Sequence, residues 1–214
     1  MLTIYGSDLS APAIKVRLLA SYMGLEHKWQ LVNLREGEQK QEWFVKINPV
    51  GKVPAIDDNG FFLFESNAIC RYLCDKNNSP LFPKDPSKRA VIDQWVEYVT
   101  QHISGNFTPV IYNRVFAARM GRPVNEAAIA DGIKFLGMYF PVLEAQLTKH
   151  KYIVSNEISL ADIVLFAMLE PAEVASVDLS VYPKLHAWRN TLKQQSFYTT
   201  CYQEYGAMLK QPVK

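Results

Sequence analysis

Apolar residues follow two rhythms along this chain, and the rhythm changes near residue 80. In the first part, short apolar runs alternate with helical stripes. Leu2 to Tyr5 is a run fit for a buried strand, broken by Gly6-Ser7-Asp8-Leu9-Ser10. Pro12 marks the first turn of a helix that carries Val16, Leu19, Ala20 and Met23 at the 3.6 period and stops at Gly24. His27 to Leu34 alternates as a second strand. Strand, helix and strand within about 33 residues predict a right-handed βαβ unit with parallel strands.

Residues 35 to 46 begin polar and end on Trp43 and Phe44, which predicts a short helix over the sheet. Two apolar runs follow, Val53 to Ile56 and Phe61 to Phe64, joined by an Asn59-Gly60 turn. That pattern is a strong hairpin signal. Pro54 removes a ladder donor at the start of the first run, an unusual choice for a residue that only builds a sheet. Glu65-Ser66-Asn67 then lead into Ala68, Ile69, Tyr72 and Leu73 at helical spacing. Ser66 or Asn67 is the expected cap of that helix, and its free backbone N–H groups suit an anion.

Asn77 to Ser87 contains three prolines and no periodicity, and reads as a linker. No convincing strand follows it. Helical stripes are expected from Lys88 to Ile103, from Val110 to Met120 after breaks at Gly105 and Pro109, and from Val124 to Thr148 with a kink or break at Pro141. Ser159-Leu160-Ala161-Asp162 is a capping box, with Asp in place of the usual Glu, ahead of the apolar run Ile163 to Leu169. Such a helix belongs at the centre of a bundle. Shorter helices are expected near Lys184–Lys193 and Phe197–Leu209. The fold class is therefore α/β with the order βαβ-α-ββα, similar to a thioredoxin-like domain, followed by an all-α helical bundle. The expected boundaries are 1–78 for the first domain, 79–87 for the linker and 88–214 for the helical domain.

Composition narrows the function. The 23 Lys and Arg against 21 Asp and Glu give a net charge of +2, which makes no case for nucleic acid or a membrane surface as partner. The first residues lack a signal-peptide pattern, and no apolar run is long enough to span a bilayer. Cys70, Cys74 and Cys201 have neither redox-pair nor zinc spacing, so no metal is expected and reduced thiols in a cytoplasmic protein are. His27, His102, His150 and His186 show no ligand spacing either.

Asn48-Pro49-Val50-Gly51-Lys52-Val53-Pro54-Ala55-Ile56 and Phe64-Glu65-Ser66-Asn67-Ala68-Ile69 resemble the two glutathione-site signatures of cytosolic glutathione S-transferases. Ser159-Leu160-Ala161-Asp162 resembles the folding signature of that family's helical domain. The start, from Gly6 to Pro12 followed by Lys15-Val16-Arg17, is similar to the serine-type classes phi, tau and theta, whose serine aligns with Ser10. Gly37-Glu38-Gln39-Lys40 resembles a phi pattern with Gln39 replacing a histidine, and Asn67 stands where phi members usually carry arginine.

The resemblance implies a transferase that activates the glutathione thiol and adds it to small apolar electrophiles. Peroxide reduction and dehalogenation are variants on the same site, and a non-catalytic binding or assembly domain is the alternative from another class. Free cysteine has a pKa of about 8.5, and lowering it by ~2 units takes about 2.7 kcal/mol of thiolate stabilisation. Ser10 could donate its hydroxyl to the sulfur, or simply cap the first helix; Ser7 is the other candidate hydroxyl. The resemblance further implies a cis bond at Pro54, with the backbone of Val53 pairing with the cysteinyl unit. Glu65 and Ser66 would hold the γ-glutamyl end, and Gln39, Lys40 and Lys52 the glycine carboxylate. An apolar electrophile pocket over the sulfur, between the domains, could be lined by Leu9, Leu34, Ile103, Phe107, Ile111, Tyr112 and Phe116, although core packing is the favoured reading of any single one. Asp162 reads as a structural carboxylate. The resemblance also implies a homodimer, with the helix around Glu65–Lys76 facing the partner's helical domain.

Overall fold

The computed structural model describes residues 1–201, 205, 206 and 209. They form two compact units, one of Met1–Pro86 with the described residues from Gln195 onward, the other of Ser87–Gln194.

The first unit is built on a four-stranded mixed sheet of β1 (Leu2–Gly6), β2 (His27–Leu31), β3 (Ala55–Asp58) and β4 (Phe61–Phe64) in the order β2-β1-β3-β4. β1 and β2 are parallel, as the crossover through α1 (Ala11–Tyr22) requires, and the hairpin β3–β4 is antiparallel. β2 ends at Leu31, earlier than the alternation to Leu34 predicts, because it is an edge strand with only β1 beside it. Ile4, Ile14, Leu18, Leu19, Ile56, Ile69 and Leu73 are wholly buried where α1 and α3 (Ser66–Lys76) pack together against the sheet. On the other side of β1, Tyr5 packs on Phe44 of α2 (Glu42–Val45), beside Val32 and Ala55.

Residues after Gln195 group with this unit rather than with the helices that precede them. Phe197, on the single turn α9 (Ser196–Thr199), meets Tyr22 of α1 edge-on at 5.3 Å. The helix expected over Phe197–Leu209 lies in part outside the described residues.

The second unit contains helices and connecting loops but no strand among the described residues. α4 (Pro86–Tyr98) does not stop at Gly105 or Pro109: it passes through a π-helical stretch at Val99–Ser104, α5 (Gly105–Ile111), and a second π-helical stretch at Tyr112–Ala117. Gly105 keeps helical dihedrals and Pro109 sits inside α5. The wider turns on either side accommodate the missing proline N–H, so the breaks expected there are absent. α6 (Glu126–Lys149) also runs unbroken through Pro141. An interior proline costs about 3 kcal/mol. The buried stripe Ile129, Leu136, Phe140, Leu143 and Leu147 outweighs it at roughly 1.5–3 kcal/mol per side chain. At Gly132 a Cβ would stand 2.6 Å from the backbone oxygen of Asn106, so only glycine permits this approach of α6 to α5.

α7 (Leu160–Leu169) is buried at every residue, as its apolar sequence predicts. Its capping box is complete. Asp162 accepts from the Ser159 backbone N–H and hydroxyl at 2.9 Å each, from Ile153 N–H at 2.9 Å and from Trp188 Nε1 at 3.2 Å. Four donors from three segments converge on one carboxylate, which is therefore a structural anchor. α8 (Pro183–Lys193) completes the unit.

Candidate active site

Strand register brings the scattered signature residues together. Tyr5 near the end of β1 pairs with Ala55 at the start of β3, and Ala55 pairs with Phe64 at the end of β4. Gly6 pairs with Leu31 at the end of β2. The loop after β1, the segment before β3, the turn after β4 and the segment after β2 therefore all leave the sheet at one end. Those four segments carry Ser10, Val53-Pro54, Glu65-Ser66 and Gln39-Lys40.

Ser10 is the N-cap of α1, with extended dihedrals, and its Oγ accepts from Ala13 N at 3.4 Å. That long bond uses the oxygen as acceptor and leaves the hydroxyl hydrogen to donate elsewhere. Ser10 is partly open to solvent, whereas Ser7 is buried. Arg17 pairs with Asp8 at 3.0 Å, and the Tyr205 hydroxyl donates to the Leu9 carbonyl at 2.8 Å, so the loop that carries Ser10 is held on two sides. Tyr205 stands 196 residues from Leu9 in a stretch without a motif, and nothing local in the sequence signals it.

The Val53-Pro54 peptide bond is cis, as the family resemblance implies. The loop before it is built by Asn48, which is 3% exposed. Its Nδ2 donates to the Lys52 carbonyl at 2.6 Å, and its Oδ1 accepts from Val50 N at 3.0 Å. Gly51 takes φ +61, and a Cβ there would lie 2.9 Å from both the Gln39 carbonyl oxygen and Lys40 Nζ. Lys40 Nζ also donates to the Val50 carbonyl at 3.1 Å. Gln39, Lys40 and the Lys52 loop are thus adjacent. Gln39 Oε1 is shielded from solvent without a hydrogen-bond partner among the described residues.

Neither Ser66 nor Asn67 caps α3. The helix starts at Ser66 itself, and Glu65 occupies the N-cap with φ +68 and no capping side-chain bond. One residue must turn the chain from strand to helix, and a non-glycine residue pays about 1 kcal/mol or more for that backbone. In return the first-turn N–H groups, Ser66 and the exposed Glu65 carboxylate share one corner of the sheet.

The apolar positions proposed for the electrophile divide by exposure. Ile103 and Phe107 are wholly buried and Ile111 nearly so, while Tyr112 and Phe116 are part-exposed on the second π-helical stretch. Leu34 packs beside Val32, Phe44 and Ala55. Leu9 is part-exposed. Cys70 and Cys74 are buried and form no disulfide, and burial pushes the Cys70 thiol up to about 11. Among the described residues no helix is long and apolar enough to cross a membrane.

A sheet of this topology, with a cis proline opposite a strained strand-to-helix turn, defines a thioredoxin-like binding domain joined to a helical one. The sequence matches the glutathione S-transferase N-terminal domain over residues 9–76 and the glutathione S-transferase C-terminal domain over 107–195. Among solved structures, a delta-class glutathione transferase from Nilaparvata lugens is 31% identical, with TM-score 0.84, covering 94% of this chain and 93% of its own. A glutathione transferase from Populus trichocarpa is 26% identical, with TM-score 0.84 and coverage of 94% and 97%. A glutathione S-transferase-I solved with lactoylglutathione is also 26% identical, with TM-score 0.83 and the same coverage. The chain belongs to the cytosolic glutathione S-transferase family. It is a transferase enzyme whose substrate is glutathione.

Proposed function

We propose that this enzyme binds glutathione at the converging end of the first unit's sheet and activates its sulfur through Ser10. The observation that carries the reading is the Ser10 hydroxyl. It caps α1 only as an acceptor, so its hydrogen is available to a thiolate at the positive end of a 12-residue helix. A hydroxyl stabilises the thiolate without taking its proton at neutral pH. The sulfur then attacks an electrophilic carbon and expels the leaving group, while the thiol proton passes to solvent.

In this reading the Val53 backbone pairs with the cysteinyl unit. The γ-glutamyl ammonium meets the Glu65 carboxylate, and its carboxylate meets Ser66 and the start of α3. Gln39, Lys40 and Lys52 face the glycine carboxylate. The adjacency of Lys40 to the Val50-Gly51-Lys52 segment supports that assignment. Residues 1–78 hold the tripeptide and the helical residues from 88 onward choose the electrophile, with Tyr112 and Phe116 the most exposed candidates on that side. The class is serine-type and the location cytoplasmic. The assembly is a homodimer, consistent with Phe61 and Phe62 being 48% exposed on the edge strand β4. The neighbour solved with lactoylglutathione supports glutathione derivatives as ligands of this fold.

The test is turnover of an aryl halide with glutathione by the wild type and Ser10→Ala. Loss of most turnover in a folded variant supports the assignment, and unchanged turnover refutes it.

A further inference from the structure

Lys15 lies in the middle of α1 and is only 4% exposed. Its neighbours Ala13, Ile14, Val16 and Leu18 are wholly buried. A lysine ammonium is among the costliest groups to bury, so a position that only filled the core would carry an apolar side chain. A hydrogen bond from Lys15 Nζ to Oδ1 of Asn67 in the first turn of α3 helps to offset the cost. That bond ties the helix capped by Ser10 to the helix that opens with Glu65 at its N-cap and Ser66 at its first position. The ammonium also acts within α3: burial pushes the Cys70 thiol up, and the positive charges of Lys15 and Arg71 pull it back.

We propose that Lys15 is a positioning residue for glutathione, acting through Asn67. By holding the Asn67 side chain it fixes the first turn of α3, so that the Ser66 hydroxyl and the N–H groups of that turn stay aimed at the γ-glutamyl carboxylate. Its positive charge adds to the helix N-terminus that receives this anion. Lys15 thereby couples the sulfur-activating helix to the one that grips the other end of the tripeptide. The inference rests on the reading of Glu65 and Ser66 as glutathione contacts.

The test compares Lys15→Met, Asn67→Ala and the double variant with wild type and with Ser66→Ala. It measures KM for glutathione, kcat at saturating glutathione, KM for the electrophile, and Tm. Asn67→Ala removes a part-exposed side chain and keeps the test available should Lys15→Met fail to fold. The expected result is a rise in glutathione KM of about fivefold or more in each folded single variant. The double variant should be no worse than the poorer single one, as expected of a coupled pair. Both kcat and the electrophile KM should stay within twofold of wild type. A purely structural role would lower Tm and kcat without moving glutathione KM selectively. That outcome, or an unchanged glutathione KM in folded Asn67→Ala, overturns the inference. If Ser66→Ala also leaves glutathione KM unchanged, the underlying site reading fails as well. If Ser66→Ala raises it while Asn67→Ala does not, only the role of Lys15 falls.

Discussion

Asn48 Nδ2 donates to the carbonyl of Lys52 at 2.6 Å, so a buried amide fixes the backbone immediately before the Val53-Pro54 bond. Its Oδ1 closes the same loop through Val50 N. Replacement by alanine removes both bonds from part-buried backbone groups, at a cost of about 1–3 kcal/mol for the two. Asn48→Ala is therefore expected to lower stability by that amount. It should also raise KM for glutathione severalfold, since Lys52 and Val53 lose their common support. Chemical denaturation and steady-state kinetics on one preparation check both.

Glu65 separates what a side chain does from what its backbone costs. At φ +68 the residue is strained as glutamate and relaxed as glycine. Glu65→Gly should hold or raise Tm, by up to about 1 kcal/mol of stability, while glutathione KM rises about tenfold through loss of the carboxylate. A variant that is both more stable and unimpaired in glutathione binding would remove Glu65 from the site.

How much of this was legible in the sequence follows from the range of the forces involved. The hairpin at Asn59-Gly60, the capping box at Ser159–Asp162 and the buried α7 are set by neighbours within a few residues, and the pattern states them directly. Gly105 and Pro109 read as breaks and Pro141 as a kink or break, yet helical packing around Phe107, Phe140 and Leu143 carries the helices through them. Burial in a tertiary context outweighed a local penalty. Asn48 was visible as part of a motif, but not as the clamp on Lys52. The bonds of Tyr205 and Lys15 were invisible, because their partners, Leu9 and Asn67, stand 196 and 52 positions away.

Tyr205 offers a test of that distant support. Tyr205→Phe removes the donor to the Leu9 carbonyl and costs about 1 kcal/mol, localised to the loop before Ser10. Hydrogen exchange should rise across residues 7–10 and kcat should fall a few-fold, with glutathione KM nearly unchanged. Unaltered exchange there would show that Tyr205 does not restrain the loop.

Asp162 predicts a pH dependence of stability. Burial pushes its carboxyl up to about 6, against the pull of hydrogen bonds from Ile153, Ser159 and Trp188. The unfolded group titrates near ~3.9, so the native state binds the extra proton between the two values. Its contribution is fully present below about pH 4 and is lost as pH rises through about 6. Asp162→Ala should destabilise by several kcal/mol, since four donors lose their acceptor. The gap to wild type should narrow by about 2–3 kcal/mol between pH 4 and pH 7. Denaturant titrations across that range measure the gap directly.

If Ser10 activates the sulfur as proposed, it lowers the thiol pKa of bound glutathione. The direct measurement is ultraviolet titration of the thiolate in the binary complex, for wild type and Ser10→Ala. A pKa lowered by ~2 units to about 6.5 in the wild type should return toward ~8.5 in the variant. Turnover in the variant should correspondingly recover only as pH rises past that higher value. Equal pKa values in the two complexes, or a wild-type value no lower than that of free glutathione, would mean that Ser10 does not activate the sulfur.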